Sequence, residues 1–174
     1  EKRLPIDPLT ETYHQVTIND AYRVQTLVLE SKLRRKEVVV GKKIGLTSKA
    51  MQKLMDVYEP DYGQLTDRMV LLEGETVKIS TLIQPKVEPE VAFILRQNLR
   101  GPGVTVATVI RATEAVVPAL EIIDSRIKGW KTKIQDTVAD NASSGRVVLG
   151  GRPLPVHDLD LKHIGLVFEK NDEI

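Results

Sequence analysis

The 174-residue chain contains no cysteine. This absence excludes disulfides, thiolate zinc sites and cysteine nucleophiles, and it is consistent with a reducing compartment. No apolar stretch is long enough to cross a bilayer. The formal net charge of +1 gives no strong field that would attract nucleic acid or an acidic membrane. These absences predict a soluble, cytoplasmic protein with neither a nucleic-acid nor a membrane partner.

Nucleotide-binding motifs are also missing. No Gly-x-Gly-x-x-Gly pattern follows a predicted strand. The nearest glycine-rich segment, GPGVT at 101–105, lacks both the P-loop lysine and the dinucleotide spacing, so we interpret it as a turn into a helix.

The patterns that are present alternate between helical and strand periods. Residues 17–37 have a 3.6-residue apolar period, with Thr17 or Asn19 as the cap. The other predicted elements are a strand at 38–48, a helix capped by Ser48, a loop at 58–67, two short strands at 69–80, a strand at EPEVAFIL, a helix beginning at Thr105, a buried strand at VVPALEIIDSRI, a loop or short helix passing into a strand at 136–151, and a last strand at 161–170.

This order predicts an α+β fold, with flanking short helices around a largely β core. The length predicts one domain spanning residues 1–174. The chain begins without methionine and stops soon after the strand-like IGLVF, where a hairpin partner is expected. We therefore expect a fragment that lacks C-terminal strands.

Two glutamates stand at the start of an apolar run. In PKVEPEVAFI, Glu88 and Glu90 are two residues apart, so on a strand their side chains lie on the same face. Like charges so placed repel each other, and a divalent cation resolves the repulsion. The alternative is a solvated strand end whose glutamates pair with lysines, and the pattern alone favours this alternative.

A third acid, Glu121, interrupts the apolar run PALEII. A glutamate in such a place needs a partner. That partner is either a cation, for example Arg126 in a buried ion pair, or a metal ion shared with the other two glutamates. Asp124 is a further candidate ligand, although the strand period places it on the opposite face from Glu121.

Lysine and aspartate candidates lie earlier in the chain. Lys43 is bracketed by Gly41 and Gly45 and could donate a proton or a hydrogen bond to an oxyanion, whereas Lys42 has the pattern of a surface lysine. Asp61 in PDYG is either a turn residue, which the pattern favours, or an active-site acid. The polar segment DTVADNASS, which includes Asn141 and Ser143, is either a helix cap or a loop that reaches a substrate carboxylate.

Taken together, these segments resemble a known family. GKKIGLTSKAMQ, PDYG, PKVEPEVAFIL, GPGVT, PALEIIDSRIKGWKTKIQDTVADNASS and LGGRP are similar to the 2-oxopent-4-enoate (2-hydroxypentadienoate) hydratases of the fumarylacetoacetate hydrolase superfamily. The resemblance extends over nearly the whole chain. It implies a β-roll or barrel-like core of the fumarylacetoacetase C-terminal type, incomplete in this chain.

The resemblance also implies roles for the residues singled out above. Glu88, Glu90 and Glu121 match the family's metal carboxylates, and the expected ion is Mg²⁺ or Mn²⁺. Lys43 and Asp61 match its active-site lysine and aspartate. We add Asn141 and Ser143 as candidate substrate-binding residues.

The implied reaction is the hydration of 2-hydroxypenta-2,4-dienoate to 4-hydroxy-2-oxopentanoate in the meta-cleavage catabolism of aromatic compounds. The alternative within the superfamily is 4-oxalocrotonate decarboxylation, but those decarboxylases tend to lack the aspartate in the P-x-Y-G loop. The alternative of another class is a non-catalytic metal-binding partner subunit. Expected partners are a small 2-hydroxydienoate or 2-oxo acid substrate, further copies of the chain in a homo-oligomer, and a related decarboxylase or a downstream aldolase.

Overall fold

The computed structural model describes residues 3–174. Within that range it contains five α-helices, which are α1 (Leu9–Thr12), α2 (Ile18–Arg34), α3 (Lys49–Leu54), α4 (Val106–Ala112) and α5 (Ile134–Ala139). Three of the predicted helix starts are confirmed, because Thr17, Ser48 and Thr105 each accept a hydrogen bond from a backbone N–H in the first turn. None of the helices in the described range is long and apolar enough to span a membrane.

The strands form two open sheets. The described part of the chain has six strands, which are β1 (Val39–Gly45), β2 (Asp61–Thr66), β3 (Val70–Leu72), β4 (Pro85–Leu95), β5 (Thr113–Asp124) and β6 (Ser144–Leu149). Strands β1 and β2 pair antiparallel, and the other four form a sheet in the order β3-β6-β5-β4. The α+β class is therefore confirmed, but neither sheet closes on itself among these residues, so the predicted roll- or barrel-like closure is not observed.

The loop predicted at 58–67 is wrong, because most of it is strand β2. Pro60 and Gly63 favoured a turn by local chemistry alone. In the structure Asp61 lies opposite Gly45 and Gly63 opposite Lys43, so pairing with a distant strand overrides the local signal.

Two predicted strands are also wrong. The second half of the 69–80 segment contains a single 3₁₀ turn, Ile79–Thr81, in place of a strand. The apolar segment at 161–170 forms no strand within the described residues, and its only ladder contact is a bridge between Lys170 and Glu173. Alternating apolar residues favour a strand only where a partner strand supplies the hydrogen bonds.

The described chain divides into two compact units. The prediction of a single domain stays a prediction. The first unit contains the described residues up to Val70 together with Thr76–Lys86 and Ile122–Arg146. The second contains Leu71–Glu75, Val87–Glu121 and Val147–Ile174.

In the first unit α2 packs on α5 through a small apolar core of Ala21, Val138 and Ala139. Buried polar side chains complete this packing. The carboxylate of Asp136, which is fully buried, accepts hydrogen bonds from the backbone N–H and the hydroxyl of Thr10 at 3.0 and 2.8 Å. Because this buried carboxylate is paired, it holds α1 against α5.

In the second unit the core lies along β5, where Val116, Val117 and Ala119 are buried. Strand β4 lies at the edge of its sheet. Its apolar residues Phe93 and Leu95 are 42% and 44% exposed, so the apolar run after the two glutamates is less buried than the sequence suggested.

Candidate active site

The structure brings the three candidate metal-binding glutamates together in the second unit. One carboxylate oxygen each from Glu88, Glu90 and Glu121 lies within 4.8 Å of the other two. Glu88 and Glu90 are exposed, whereas Glu121 is only 7% exposed. Among the described residues this is the only cluster of three or more histidine, cysteine or acidic side chains with such spacing.

Strand geometry explains the convergence. Glu88 and Glu90 are two residues apart on β4, so they leave the strand on the same face. Glu121 comes from β5, which is the neighbour of β4 in the sheet. Three carboxylates from two adjacent strands therefore meet on one face of the sheet.

The donor set fits a hard divalent cation. Oxygen ligands about 2.1 Å from Mg²⁺ stand about 3.0 Å apart when adjacent and about 4.2 Å apart when opposite, and for Ca²⁺ at about 2.4 Å these values become about 3.4 and 4.8 Å. Three oxygens that all lie within 4.8 Å of one another are therefore close enough to share one divalent ion after a small adjustment of their side chains. Three carboxylates would also leave coordination positions for water or substrate oxygens.

Asp124 and Arg126, which lie close to Glu121 in sequence, form contacts with other residues. Arg126 forms a close ion pair with Asp140 and also donates to the backbone oxygen of Ser144 at 3.1 Å. The carboxylate of Asp124 accepts hydrogen bonds from the backbone N–H groups of Ile83 and Gln84. Asp124 therefore has a structural role, as its place on the opposite strand face suggested.

Asp61 is the most unusual acid of the first unit. It opens β2, opposite Gly45 in β1, and is only 4% exposed. Neither of its carboxylate oxygens has a hydrogen-bond partner within residues 3–174. Because Asp61 lies in a paired strand and not in a turn, the turn interpretation is wrong.

Gly45 makes room for this carboxylate. A β-carbon on Gly45 would lie 2.2 Å from Oδ1 of Asp61, far inside van der Waals contact. Because Asp61 is fixed by strand pairing, only a residue without a side chain can stand opposite it.

Burial governs the electrostatics of Asp61. Loss of water around the carboxyl group raises the pKa of Asp61 above its ordinary value, and the positive charge of Lys43 is the largest effect opposing that rise. A carboxyl group with a raised pKa exchanges protons more readily near neutral pH, as general acids and bases do.

The two neighbouring lysines contact different groups. The ammonium nitrogen of Lys43 lies 3.4 Å from the position that a β-carbon of Gly45 would take, on the side that Asp61 occupies. The ammonium nitrogen of Lys42 lies 4.7 Å from the centre of the Tyr62 ring, a cation–π contact. This division agrees with the alternation of side chains along β1.

Asn141 and Ser143 are buried in a tight left-handed turn. Asn141, Ala142 and Ser143 all have positive φ, of 58°, 51° and 53°. The Asn141 amide pairs with β2, where its Oδ1 accepts from the N–H of Gln64 at 2.8 Å and its Nδ2 donates to the carbonyl of Gln64 at 2.9 Å. The structure thus shows an architectural role for Asn141, and the predicted substrate contacts of Asn141 and Ser143 stay predictions.

Sequence reasoning missed two residues around Asp61. Gly45 was noted only as one of the glycines that bracket Lys43, although its lack of a side chain is what admits the carboxylate. Tyr22 of α2 stacks on Tyr62, and burial, followed by the charge of Asp61, raises the pKa of Tyr22. No local sequence signal indicates that Tyr22 lies near Asp61, because its position depends on how α2 packs.

Comparison with known proteins yields clear relatives. The chain is 49% identical to 2-hydroxypent-2,4-dienoate hydratase from Pseudomonas putida over 99% of its own length and 78% of that protein. Two solved structures of 4-oxalocrotonate decarboxylase from Pseudomonas putida G7 match with 39% identity. The one with calcium and acetate has a TM-score of 0.91 and the one with magnesium and adipate a TM-score of 0.87.

These matches differ in how much of each relative they cover. The two decarboxylase structures match 98% and 91% of this chain, which spans 64% and 60% of theirs. No model of a protein family matches the chain.

Proposed function

The chain belongs to the 2-hydroxypenta-2,4-dienoate (2-keto-4-pentenoate) hydratase family, and from this premise we propose that it takes part in the hydration of 2-hydroxypenta-2,4-dienoate to 4-hydroxy-2-oxopentanoate. The observation that carries the proposal is the cluster of Glu88, Glu90 and Glu121, whose oxygens lie within 4.8 Å of one another. Three carboxylates so close together repel one another unless a cation lies among them.

The glutamate cluster has the role of metal ligand in this proposal. Mg²⁺ or Mn²⁺, when bound, would supply a Lewis acid for the oxygens of the substrate. Glu121 would hold the ion from the buried side, whereas Glu88 and Glu90 are exposed to solvent. Relatives of known structure hold magnesium or calcium, which supports a divalent ion.

The hydration itself requires proton movements between carbon and oxygen. C5 of the dienoate gains a proton, and the 2-hydroxyl group loses its proton to become a ketone. Water then adds its hydroxyl group to C4 and its remaining proton to C3. The sum of these steps is the addition of one water molecule.

Asp61 is the proposed proton-transfer group. Burial raises its pKa, and neither oxygen has a hydrogen-bond partner within the described chain, so the carboxyl group is available to take or give a proton. Lys43 lies beside it, and its positive charge opposes the rise in the pKa of Asp61. We assign to Lys43 the stabilisation of negative charge on the substrate's 2-oxygen, and to Asn141 and Ser143 contacts with the substrate carboxylate.

The dienol absorbance provides the test. The protein should deplete 2-hydroxypentadienoate in the presence of Mg²⁺, and EDTA should stop the reaction. Glu90→Gln should lower turnover as EDTA does. Glu75→Gln is the control and should not lower it, because Glu75 lies outside the cluster and accepts a hydrogen bond from the backbone N–H of Leu72. Equal turnover with and without EDTA would contradict the metal assignment.

A second candidate reaction is the decarboxylation of 4-oxalocrotonate. It is favoured by one observation, which is that the two solved structures reported above are of a 4-oxalocrotonate decarboxylase from Pseudomonas putida G7. Asp61 is the residue that favours hydration over this alternative, because the resemblance described above implies this aspartate in the hydratases and its frequent absence from the decarboxylases. Release of carbon dioxide from 4-oxalocrotonate would identify the second reaction.

The remaining parts of the proposal concern the setting of the enzyme. We propose a cytoplasmic homo-oligomer with a fumarylacetoacetase-type β-roll, which acts next to a decarboxylase or an aldolase of aromatic catabolism. The identity to the Pseudomonas putida hydratase supports that setting.

A further inference from the structure

A polar cavity in the second unit is lined by none of the three glutamates of the cluster. Its volume is about 640 Å³, and it is formed by the end of β4, the following loop and α4. Three arginines line it, Arg96, Arg100 and Arg111. None of its lining residues is acidic, and its other polar side chains are those of Gln97, Asn98 and Thr108.

Arg96 is held in place by the protein. Its Nε and Nη2 donate to the backbone carbonyl of Arg111 at 3.0 and 2.9 Å. Its Nη1 lies 3.8 Å from Glu114, in an exposed ion pair. Arg96 therefore contributes charge to the cavity, but most of its donors are already engaged.

Arg100 and Arg111 are different. In the range 3–174 neither side chain forms an ion pair or a hydrogen bond. Each guanidinium carries five N–H donors in a planar fork that matches a carboxylate or a phosphate. Arg111 in the last turn of α4 is also favourable for the helix dipole, but this explanation does not extend to Arg100 in the loop.

We propose that this arginine-lined cavity binds a small dianion, through forked contacts from Arg100 and Arg111 and the charge of Arg96. Three positive charges around one cavity repel one another, and Glu114 offsets only one of them. A dianion removes the repulsion and satisfies two free guanidinium groups at once. The cavity volume is in the range that small-molecule sites occupy. This site is independent of the proposed hydration.

The test is calorimetric titration of metal-free protein with inorganic phosphate and, separately, with succinate, at low ionic strength. The absence of metal removes any contribution from the glutamate cluster. We expect saturable binding of one dianion per chain that weakens as sodium chloride is added. The preferred probe distinguishes phosphate-type from dicarboxylate-type ligands.

Variants locate the binding. Arg100→Gln and Arg111→Gln should each weaken binding by about tenfold or more, because each removes a charge-assisted contact. Arg111→Lys keeps the charge but not the fork, so it should recover only part of the affinity. Arg152→Gln is the matched control, since Arg152 is exposed in the same unit and does not line the cavity.

Two results would overturn the proposal. One is the absence of saturable heat with both probes. The other is binding that the Arg100→Gln/Arg111→Gln double variant retains, because the dianion would then be bound elsewhere. Circular dichroism of each variant checks that the fold is intact, and the exposed positions of both arginines make a loss of fold unexpected.

Discussion

Replacing Asp61 by asparagine should make the protein less active and more stable. The carboxyl group is 4% exposed and has no hydrogen-bond partner among the described residues, so its charged form is poorly accommodated. An unsatisfied buried polar group costs about 1–3 kcal/mol, and more when it is charged. Asparagine has the same size but no charge, so we expect the free energy of unfolding to rise by about 1 kcal/mol near neutral pH. Turnover should fall by roughly 10²–10⁴-fold, the usual contribution of a general acid or base.

The raised pKa of Asp61 determines how the stability of the wild type changes with pH. Burial raises the pKa of Asp61 in the folded state, while the unfolded chain keeps a value near the ordinary 3.8. Below that ordinary value both states are protonated, and the group is neutral in each. As the pH rises, the unfolded state ionises first, so the free energy of unfolding of the wild type falls until the pH passes the raised pKa.

Urea unfolding of metal-free protein at several pH values measures this effect. The stability gap between Asp61→Asn and the wild type should be largest near neutral pH and should shrink on acidification toward the ordinary pKa of the carboxyl group. Asp172→Asn, at an exposed aspartate, should show no comparable gap. A pH-independent gap, or an Asp61→Asn variant that is less stable at neutral pH, would refute the argument from burial.

Three further substitutions test the surroundings of the site. Gly45→Ala should displace the Asp61 side chain, since the new β-carbon would lie 2.2 Å from Oδ1. It should lower the free energy of unfolding by about 1–3 kcal/mol and also lower turnover. Gly41→Ala is the control in both assays, because its β-carbon would lie 3.9 Å from its nearest neighbour. Glu121→Gln should abolish the rise in melting temperature that Mg²⁺ produces in the wild type, and an undiminished rise would contradict its role as a ligand. Lys43→Met should raise the pKa of Asp61 further, so the acid limb of the pH–rate profile should move to higher pH, and an unmoved limb would contradict the pairing.

Local chemistry predicted the helix starts correctly. Thr17, Ser48 and Thr105 cap their helices because a cap depends only on residues within the same turn. The segment containing Asp61 was misjudged because its turn residues are overruled by pairing with a strand about twenty positions earlier. Such pairing depends on tertiary structure, which no short window of sequence contains.

The candidate site, too, was predictable from local sequence only in part. The period of two along β4 predicted that Glu88 and Glu90 share a face, but the approach of Glu121 depends on the order of strands in the sheet. The resemblance to a family supplied that pairing where the period could not. The space that Gly45 leaves for Asp61 was visible only in three dimensions, because close approach of two strands leaves no mark in either one alone.

The central claim is that the protein adds water to a 2-hydroxydienoate. Turnover of 2-hydroxypentadienoate in heavy-oxygen water with Mg²⁺, followed by mass spectrometry of the product, tests it most directly. The account predicts 4-hydroxy-2-oxopentanoate with heavy oxygen in the C4 hydroxyl group, no carbon dioxide, and no product from Asp61→Asn on the same timescale. A product without label at C4, or carbon dioxide released from 4-oxalocrotonate with no hydration of the dienoate, would contradict it.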